Sequence, residues 1–297
     1  MNQFCPIPVK NNLWHFQCPA CSSKSIYGIG KLKLRDNDKY SSSLILQSEV
    51  PEIWACSLCK SLFKQNAVVA SDAVSLYSNA SSNKRWSMKS KNMKRFMDTK
   101  TRRCRLTLQD LLAESREVLD VGCNDGLFLD DVRSLGSNTS GIEYSYEARQ
   151  ICAEKGHTVF SSLDEVCFKY DLITAFDLVE HLYDINNFFF KCKELLSPGG
   201  KLVILTGNPE CFMARLSREN WWYSSFPEHI VFPGLKYYRG IDGMLVETYS
   251  VVRHSRHGLQ LPFFLLKSLL ISLVKGRFNG LAGLWPDHHL IVLKYIG

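Results

Sequence analysis

The chain has 297 residues, 45% of them apolar and 22% charged, with 18 Gly and 10 Pro. This excludes a disordered tail, a collagen-like repeat and a disulfide-stapled miniprotein, and the length suits about two domains. The net charge of +7 is uneven: between Lys84 and Arg105 there are ten Lys/Arg and one acid, Asp98.

The stretch 1–70 carries Cys18, Cys21, Cys56 and Cys59 as two C-x₂-C pairs, with short β-like runs at 43–46 and 50–54. Two such knuckles supply four soft ligands that close a tetrahedron around Zn²⁺ in a structural role. The alternative is four unpaired thiols. The gap from Cys21 to Cys56 exceeds the spacing of an ordinary zinc ribbon, so an extra hairpin or loop is expected there. The N-terminal stretch has no uninterrupted apolar run of the kind a secretion signal needs, so the eleven cysteines are expected in a reducing cytoplasm.

The stretch 71–116 reads as a basic helical connector that ends in a clear helix near 106–114. The basic run is either a solvated helical face or a partner for an anionic sugar nucleotide, lipid phosphate or RNA.

From Glu117 to the C-terminus, apolar runs alternate with helical stretches, the pattern of a parallel sheet flanked by helices. Strands are expected at 118–121, 139–143, 157–160, 170–176, 201–206, 244–254 and 289–295, seven in all. Helices are expected at 126–135, 146–155 and 184–196, the last stopped by Pro198-Gly199-Gly200. The apolar stretch 261–274 is interrupted by Lys267 and Ser268 and is too short to span a bilayer. It reads as a helix packed on the core or a dimer mate, with a membrane-surface role as the minor alternative.

The strongest local signal is a strand running into Gly122-Cys123-Asn124-Asp125-Gly126 and then a helix. Such a turn lets backbone N–H groups approach a ligand closely. Glu143 stands at the end of the strand after the one that holds Asp120, where an acid accepts hydrogen bonds from a ribose diol. Asn124 occupies the place where a dinucleotide fingerprint has its second glycine, which argues against a pyrophosphate on the turn.

Four blocks resemble the class I S-adenosylmethionine-dependent methyltransferases: VLDVGCNDGLFL at 118–129, GIEYS at 141–145, YDLITAFDLVEHLYD at 170–184 and LSPGGKLVILT at 196–206. The resemblance implies a Rossmann-like α/β fold of seven strands, and the two knuckles point to a small zinc-ribbon-like domain before it. It implies that Asp120, Gly122, Asn124 and Gly126 surround the methionine moiety. Glu143 would hold the ribose hydroxyls, with Tyr144, Ser162 and Leu163 along the adenine. Phe176 and Asp177 would close over the sulfonium.

Two histidines are candidates for removing a proton from an acceptor hydroxyl: His181, and His229 after the aromatic cluster Trp221-Trp222-Tyr223. The alternatives are a histidine capping the next helix or bonding a carbonyl, and one hydrogen-bonded inside a packed lid. The knuckles together with G-x-N-D-G resemble the sugar C-methyltransferases and their shorter relatives from polysaccharide-synthesis clusters. The expected acceptor is therefore a small molecule or glycan precursor. An RNA methyltransferase and a non-catalytic zinc-binding adaptor are the alternatives. Against RNA, the fourth strand lacks the Asn-Pro-Pro-aromatic tetrapeptide.

Overall fold

The computed structural model describes residues 12–32, 50–68, 96–226, 228–253, 270 and 285–297. The stretch 43–46, the basic run up to position 95 and, apart from Leu270, the apolar stretch 261–274 lie outside the described residues.

The N-terminal block holds the short antiparallel pair β1 (Asn12–Leu13) and β5 (Ala67–Val68), and a sheet of β2 (Ile26–Lys31), β3 (Glu52–Cys56) and β4 (Leu62–Gln65). Strand β3 begins later than the expected 50–54, because its register sets Cys56 opposite Ile26, at the start of the second knuckle. The antiparallel β2–β3 pair supplies the extra element expected between the knuckles.

Strands β6 (Glu117–Val121), β7 (Asn138–Ile142), β8 (Thr158–Phe160), β9 (Tyr170–Phe176), β10 (Leu196–Gly207), β12 (Met244–Val252) and β13 (His288–Tyr295) form the main sheet in the order β12-β13-β10-β9-β6-β7-β8. Pairing is parallel from β10 through β9, β6 and β7 to β8, while β13 runs antiparallel to both β10 and β12. Leu119, Leu172, Ile173, Leu202, Val203, Leu290 and Ile291 are fully buried, as the central strands of a sheet covered on both faces require. The seven strands and the Rossmann-like order agree with the sequence reading. The remaining strand, β11 (Val231–Phe232), lies between β10 and β12 in the chain but pairs antiparallel with β4 of the N-terminal block.

Short polar caps start the helices. Ser145 accepts from the Ala148 N–H at the start of Tyr146–Glu154, and Asp184 accepts from Asn187 N–H at the start of Ile185–Leu195. The connector's last helix is Arg102–Glu114, longer than expected, because Thr101 caps it through Cys104 N–H. Its Cys104, Leu108, Leu111 and Leu112 share a core with Val118, Leu129 and Val203, so this part of the connector belongs to the sheet's packing. No helix among the described residues is long and apolar enough to cross a membrane.

Just after β11, Gly234 passes the second knuckle. Its N–H donates to Ser61 Oγ at 3.1 Å. A Cβ there would lie 2.5 Å from Cys59 O and 2.8 Å from the Lys60 carbonyl carbon, backbone atoms that cannot swing aside. Gly234→Ala is expected to cost about 1–3 kcal/mol, the usual range for overpacking, and to lower Tm in thermal denaturation.

Candidate active site

The turn after β6 is built for close approach. Gly122, Asn124 and Gly126 all have positive φ, and a Cβ on Gly126 would meet Cys152 Sγ at 2.7 Å. Gly122 and Cys123 N–H both donate to Ile142 O, which ties the turn to the end of β7. Glu143 lies just past that strand. Its Oε2 accepts from Asn124 N–H at 3.0 Å and its Oε1 from Ser145 N–H at 2.7 Å. Burial pushes the Glu143 carboxyl upward, while the two N–H groups oppose that shift. Each carboxylate oxygen keeps acceptor capacity for a further donor.

Beside it, Asp120 is buried and accepts from Thr174 Oγ1 at 2.7 Å. Burial raises its carboxyl to about 7; the Thr174 bond opposes this, Glu143 adds to it, and Lys100 opposes it. Phe176, at the end of β9, stacks on Phe96 at 5.4 Å between ring centroids and meets Phe128 edge-on at 5.1 Å. Tyr144 is 58% exposed, and Ser162 and Leu163 are half-buried at the turn after β8.

The opposite side of Phe176 is polar and crowded. Asp177 has a left-handed backbone (φ 49°), and its N–H donates to Leu205 O. Tyr223 Oη donates to Asp177 Oδ1 at 3.2 Å and also to Glu180 Oε1. Thr206 Oγ1 donates to Glu180 Oε2 at 2.6 Å. Glu180 is wholly buried, which raises its carboxyl to about 7, with the neighbouring Asp177 charge adding to the shift. His288 Nε2 lies 3.6 Å from Asp177 Oδ1, and His288 Nδ1 lies 2.8 Å from Asp287 Oδ1.

The structure brings the two candidate histidines together. Their rings are 4.6 Å apart and nearly perpendicular. His181 Nδ1 lies 3.1 Å from Glu228 O, and His229 Nδ1 lies 2.9 Å from Tyr223 O. A carbonyl only accepts, so each Nδ1 carries the hydrogen and each Nε2 keeps its lone pair. One ring nitrogen from each and a Glu180 carboxylate oxygen lie within 4.8 Å of one another. Burial lowers the His181 imidazole to about 4, and burial with the neighbouring His181 holds His229 well below its ordinary value. Trp221 is fully buried against Phe232 and Tyr223, so it packs the lid and offers no face for an acceptor. Trp222 is half-buried and donates from Nε1 to Asp287 Oδ2 at 2.9 Å.

The four paired cysteines also converge. Cys18 Sγ lies 3.6 Å from Cys59 Sγ, Cys21 Sγ lies 3.6 Å from Cys56 Sγ, and all four sulfurs fall within 4.8 Å. A tetrahedron with Zn–S bonds of about 2.3 Å has edges of about 3.8 Å, so the sulfurs fit a closed Zn²⁺ shell. Each knuckle turns the same way: Ser22 N–H donates to Cys18 O, Lys60 N–H donates to Cys56 O, and both donors have positive φ.

Several site residues carried no sequence signal. Glu180 stands next to His181 but reads as one more acid in the strand's tail. Asp287 and His288 open the last strand, far along the chain from Asp177. Lys64 reads as an exposed strand residue, yet it is buried and its Nζ donates to Phe226 O. Burial lowers its ammonium to about 7, against the attraction of Glu228.

A family model described as a methyltransferase domain matches residues 91–241. The chain is similar to the ubiquinone biosynthesis O-methyltransferase of Bradyrhizobium sp. (strain ORS 278), 33% identical over 103 residues, covering 31% of this chain and 40% of that protein. The corresponding protein of Chelativorans sp. (strain BNC1) is 32% identical over 105 residues, covering 32% and 42%. The chain thus spans less than half the length of the curated relatives it matches. Among solved structures, a coclaurine N-methyltransferase bound to N-methylheliamine and SAH is 14% identical, with TM-score 0.43, covering 64% of this chain and 72% of that one. An S-adenosylmethionine-dependent methyltransferase from Mesorhizobium loti is 15% identical, with TM-score 0.44, covering 64% and 96%.

The lowered His181 value sets a pH window. The folded chain keeps the ring neutral down to about pH 4, whereas an unfolded histidine takes its proton near 6.5. Stability from the neutral ring is therefore present above 6.5 and is lost as pH falls toward 4. An NMR titration of the His181 ring protons should show a midpoint near 4, and a midpoint near 6.5 would refute this burial.

Proposed function

The chain belongs to the methyltransferase-domain family, and we propose that it moves a methyl group from S-adenosylmethionine to a hydroxyl of a small-molecule or glycan-type acceptor. The observation that carries this reading is Glu143, a carboxylate pinned by two backbone N–H groups beside a glycine turn, with acceptor capacity left for a ribose diol. The names of the aligned relatives favour an oxygen acceptor. The two C-x₂-C knuckles with G-x-N-D-G favour a sugar-type substrate.

S-adenosylmethionine supplies an already activated methyl group on a sulfonium, so the chain must bind, align and accept a proton. Asp120 and the turn Gly122–Gly126 border the methionine end, and Glu143 takes the ribose. Tyr144, Ser162 and Leu163 line the adenine side. Phe176 and Asp177 separate this half from the acceptor half. There His229 and His181 present neutral imidazoles whose Nε2 lone pairs can accept the acceptor's proton. His229 sits in the lid between Tyr223 and Phe232, while His181 is tied to the same lid through Glu228 O. Glu180 lies beside both and steadies an imidazolium once it forms.

We assign the N-terminal block, residues 1–70, to one structural Zn²⁺ on Cys18, Cys21, Cys56 and Cys59, joined by a connector over 71–116 to the methyltransferase domain at 117–297. The closed thiolate shell leaves no position for substrate, so the metal's work is to hold the block's shape. Metal analysis of freshly purified, reduced protein should give one Zn²⁺ per chain. A Cys56→Ser/Cys59→Ser double variant should lose it; retention of the metal would refute the ligand set.

Glu143→Ala removes the acceptor of the ribose hydroxyls and leaves two N–H groups without their partner. Hydrogen bonds to a charged group are worth about 1.5–3 kcal/mol each, so S-adenosylmethionine affinity should fall at least about tenfold by calorimetry. Unchanged affinity in a folded variant would overturn the ribose assignment.

A further inference from the structure

Lys64 lies on β4, past the second knuckle, and is buried. Two of its groups hold the segment that carries His229. Its backbone N–H donates to Ile230 O at 2.9 Å, and its Nζ donates to Phe226 O. Phe226 O also accepts the His229 N–H at 3.2 Å, so the ammonium and the histidine backbone share one carbonyl. Ile230 N–H donates in turn to Glu180 O at 2.8 Å, one residue before His181. Lys64 thus brackets His229 from both sides and reaches the His181 turn through a single peptide. Its charge also acts on both rings, disfavouring the protonated form of His181 and of His229. Asp177 and the Glu228 carbonyl favour the protonated form of His181. On His229, the charges of His181 and His288 act with Lys64, and the Tyr223 carbonyl acts against them. Glu180 lies beside both rings, and Glu228 attracts the ammonium itself. A buried ammonium is costly, and one carbonyl with one nearby carboxylate repays that cost only in part.

We propose that Lys64 is a positioning residue for the proton-accepting histidines: it fixes the segment that aims the His229 ring and sets its ammonium beside both imidazoles. The inference rests on the methyl-transfer reading above, in which those imidazoles take the acceptor's proton. The bracket supplies orientation, because the two bonds to Phe226 O and Ile230 O leave the intervening backbone little freedom to turn the ring. The charge supplies the protonation state, because a nearby cation keeps an imidazole neutral and its Nε2 lone pair available. A residue of the cysteine block thereby takes part in preparing the histidines, although no bond is made or broken at Lys64.

The test is an NMR titration of the histidine rings in wild type, Lys64→Met and Lys64→Arg, with S-adenosylmethionine binding measured by calorimetry on the same proteins. The wild-type His181 midpoint is expected near 4. At that pH Lys64 itself is charged, since burial lowers its ammonium only to about 7. Lys64→Met keeps the bulk but loses the charge and the donor. Its His181 midpoint should rise by about one pH unit. The ¹⁵N shifts of its His229 ring should change from a single Nδ1–H tautomer to a mixture of two. Lys64→Arg should keep the wild-type midpoint and the single tautomer. An unchanged midpoint or an unchanged tautomer in folded Lys64→Met overturns the proposal. So does a Lys64→Arg variant that shifts as far as Lys64→Met, since packing alone then explains the lysine. If methionine disturbs folding, Lys64→Gln takes its place, and an unchanged midpoint there overturns the proposal equally. Failure of wild type to bind S-adenosylmethionine overturns the methyl-transfer reading and this inference with it. Intact binding with an unchanged midpoint overturns only the Lys64 assignment.

Discussion

Val231 and Phe232 pair antiparallel with Phe63 and Leu62, and the placing of the histidine cluster depends on this short ladder. The segment just before it carries Tyr223 on the single 3₁₀ turn Trp222–Ser225, and Glu228 and His229 outside any helix or strand. Two-residue strands are weak alone, so their position must come from neighbours. Those neighbours are the second knuckle, through Ser61 and the backbone pressed on Gly234, and the buried Lys64, which grips Phe226 O. Ile230 N–H adds a bond to Glu180 O, closing the lid onto the sheet. The cysteine block thus forms a wall against which the histidine segment packs.

That wall encloses an unusual proton inventory. A carboxyl at about 7 stands beside an imidazole at about 4, the reverse of their order in water. Burial is the first cause of both shifts, because it penalises whichever form carries charge. Near neutral pH the cluster therefore tends toward uncharged histidines and a partly protonated Glu180. Glu180 can stay buried because Thr206 and Tyr223 each donate to it, satisfying both oxygens. A histidine that takes a proton here acquires a charge in a dry place, and Glu180 and Asp177 are the carboxylates placed to stabilise it. The same crowding that makes the histidines weak bases would make an imidazolium here dependent on those carboxylates.

The glycine turn and the acid that faces it were legible in the sequence because their signals are local. A strand, a glycine turn, a helix and an acid at the next strand end all lie between Val118 and Glu143, and each has a backbone reason for its residue type. The four cysteines were legible for the same reason, since each knuckle is a single turn. The lid was legible only as an aromatic run with a histidine. Whether its rings faced a ligand or the core depended on β4, from a distant part of the chain, and on Gly207, whose missing Cβ leaves room for the Tyr223 ring. Lys64 and Lys100 were hidden more deeply. A lysine in a strand or a basic run reads as solvated, and only tertiary packing shows an ammonium turned inward.

The two halves rest on different supports. Glu143 is fixed by Asn124 and Ser145, which belong to turns of the central sheet itself. His229 is fixed by Tyr223 O and His181 by Glu228 O, both in the lid. The lid in turn leans on a block whose knuckles converge to sulfur spacings of 3.6 Å. All four sulfurs lie within 4.8 Å of one another, a spacing that suits a closed tetrahedral shell around one cation. The ring-to-carbonyl bonds that orient both imidazoles therefore depend on a lid that is held by the cysteine block.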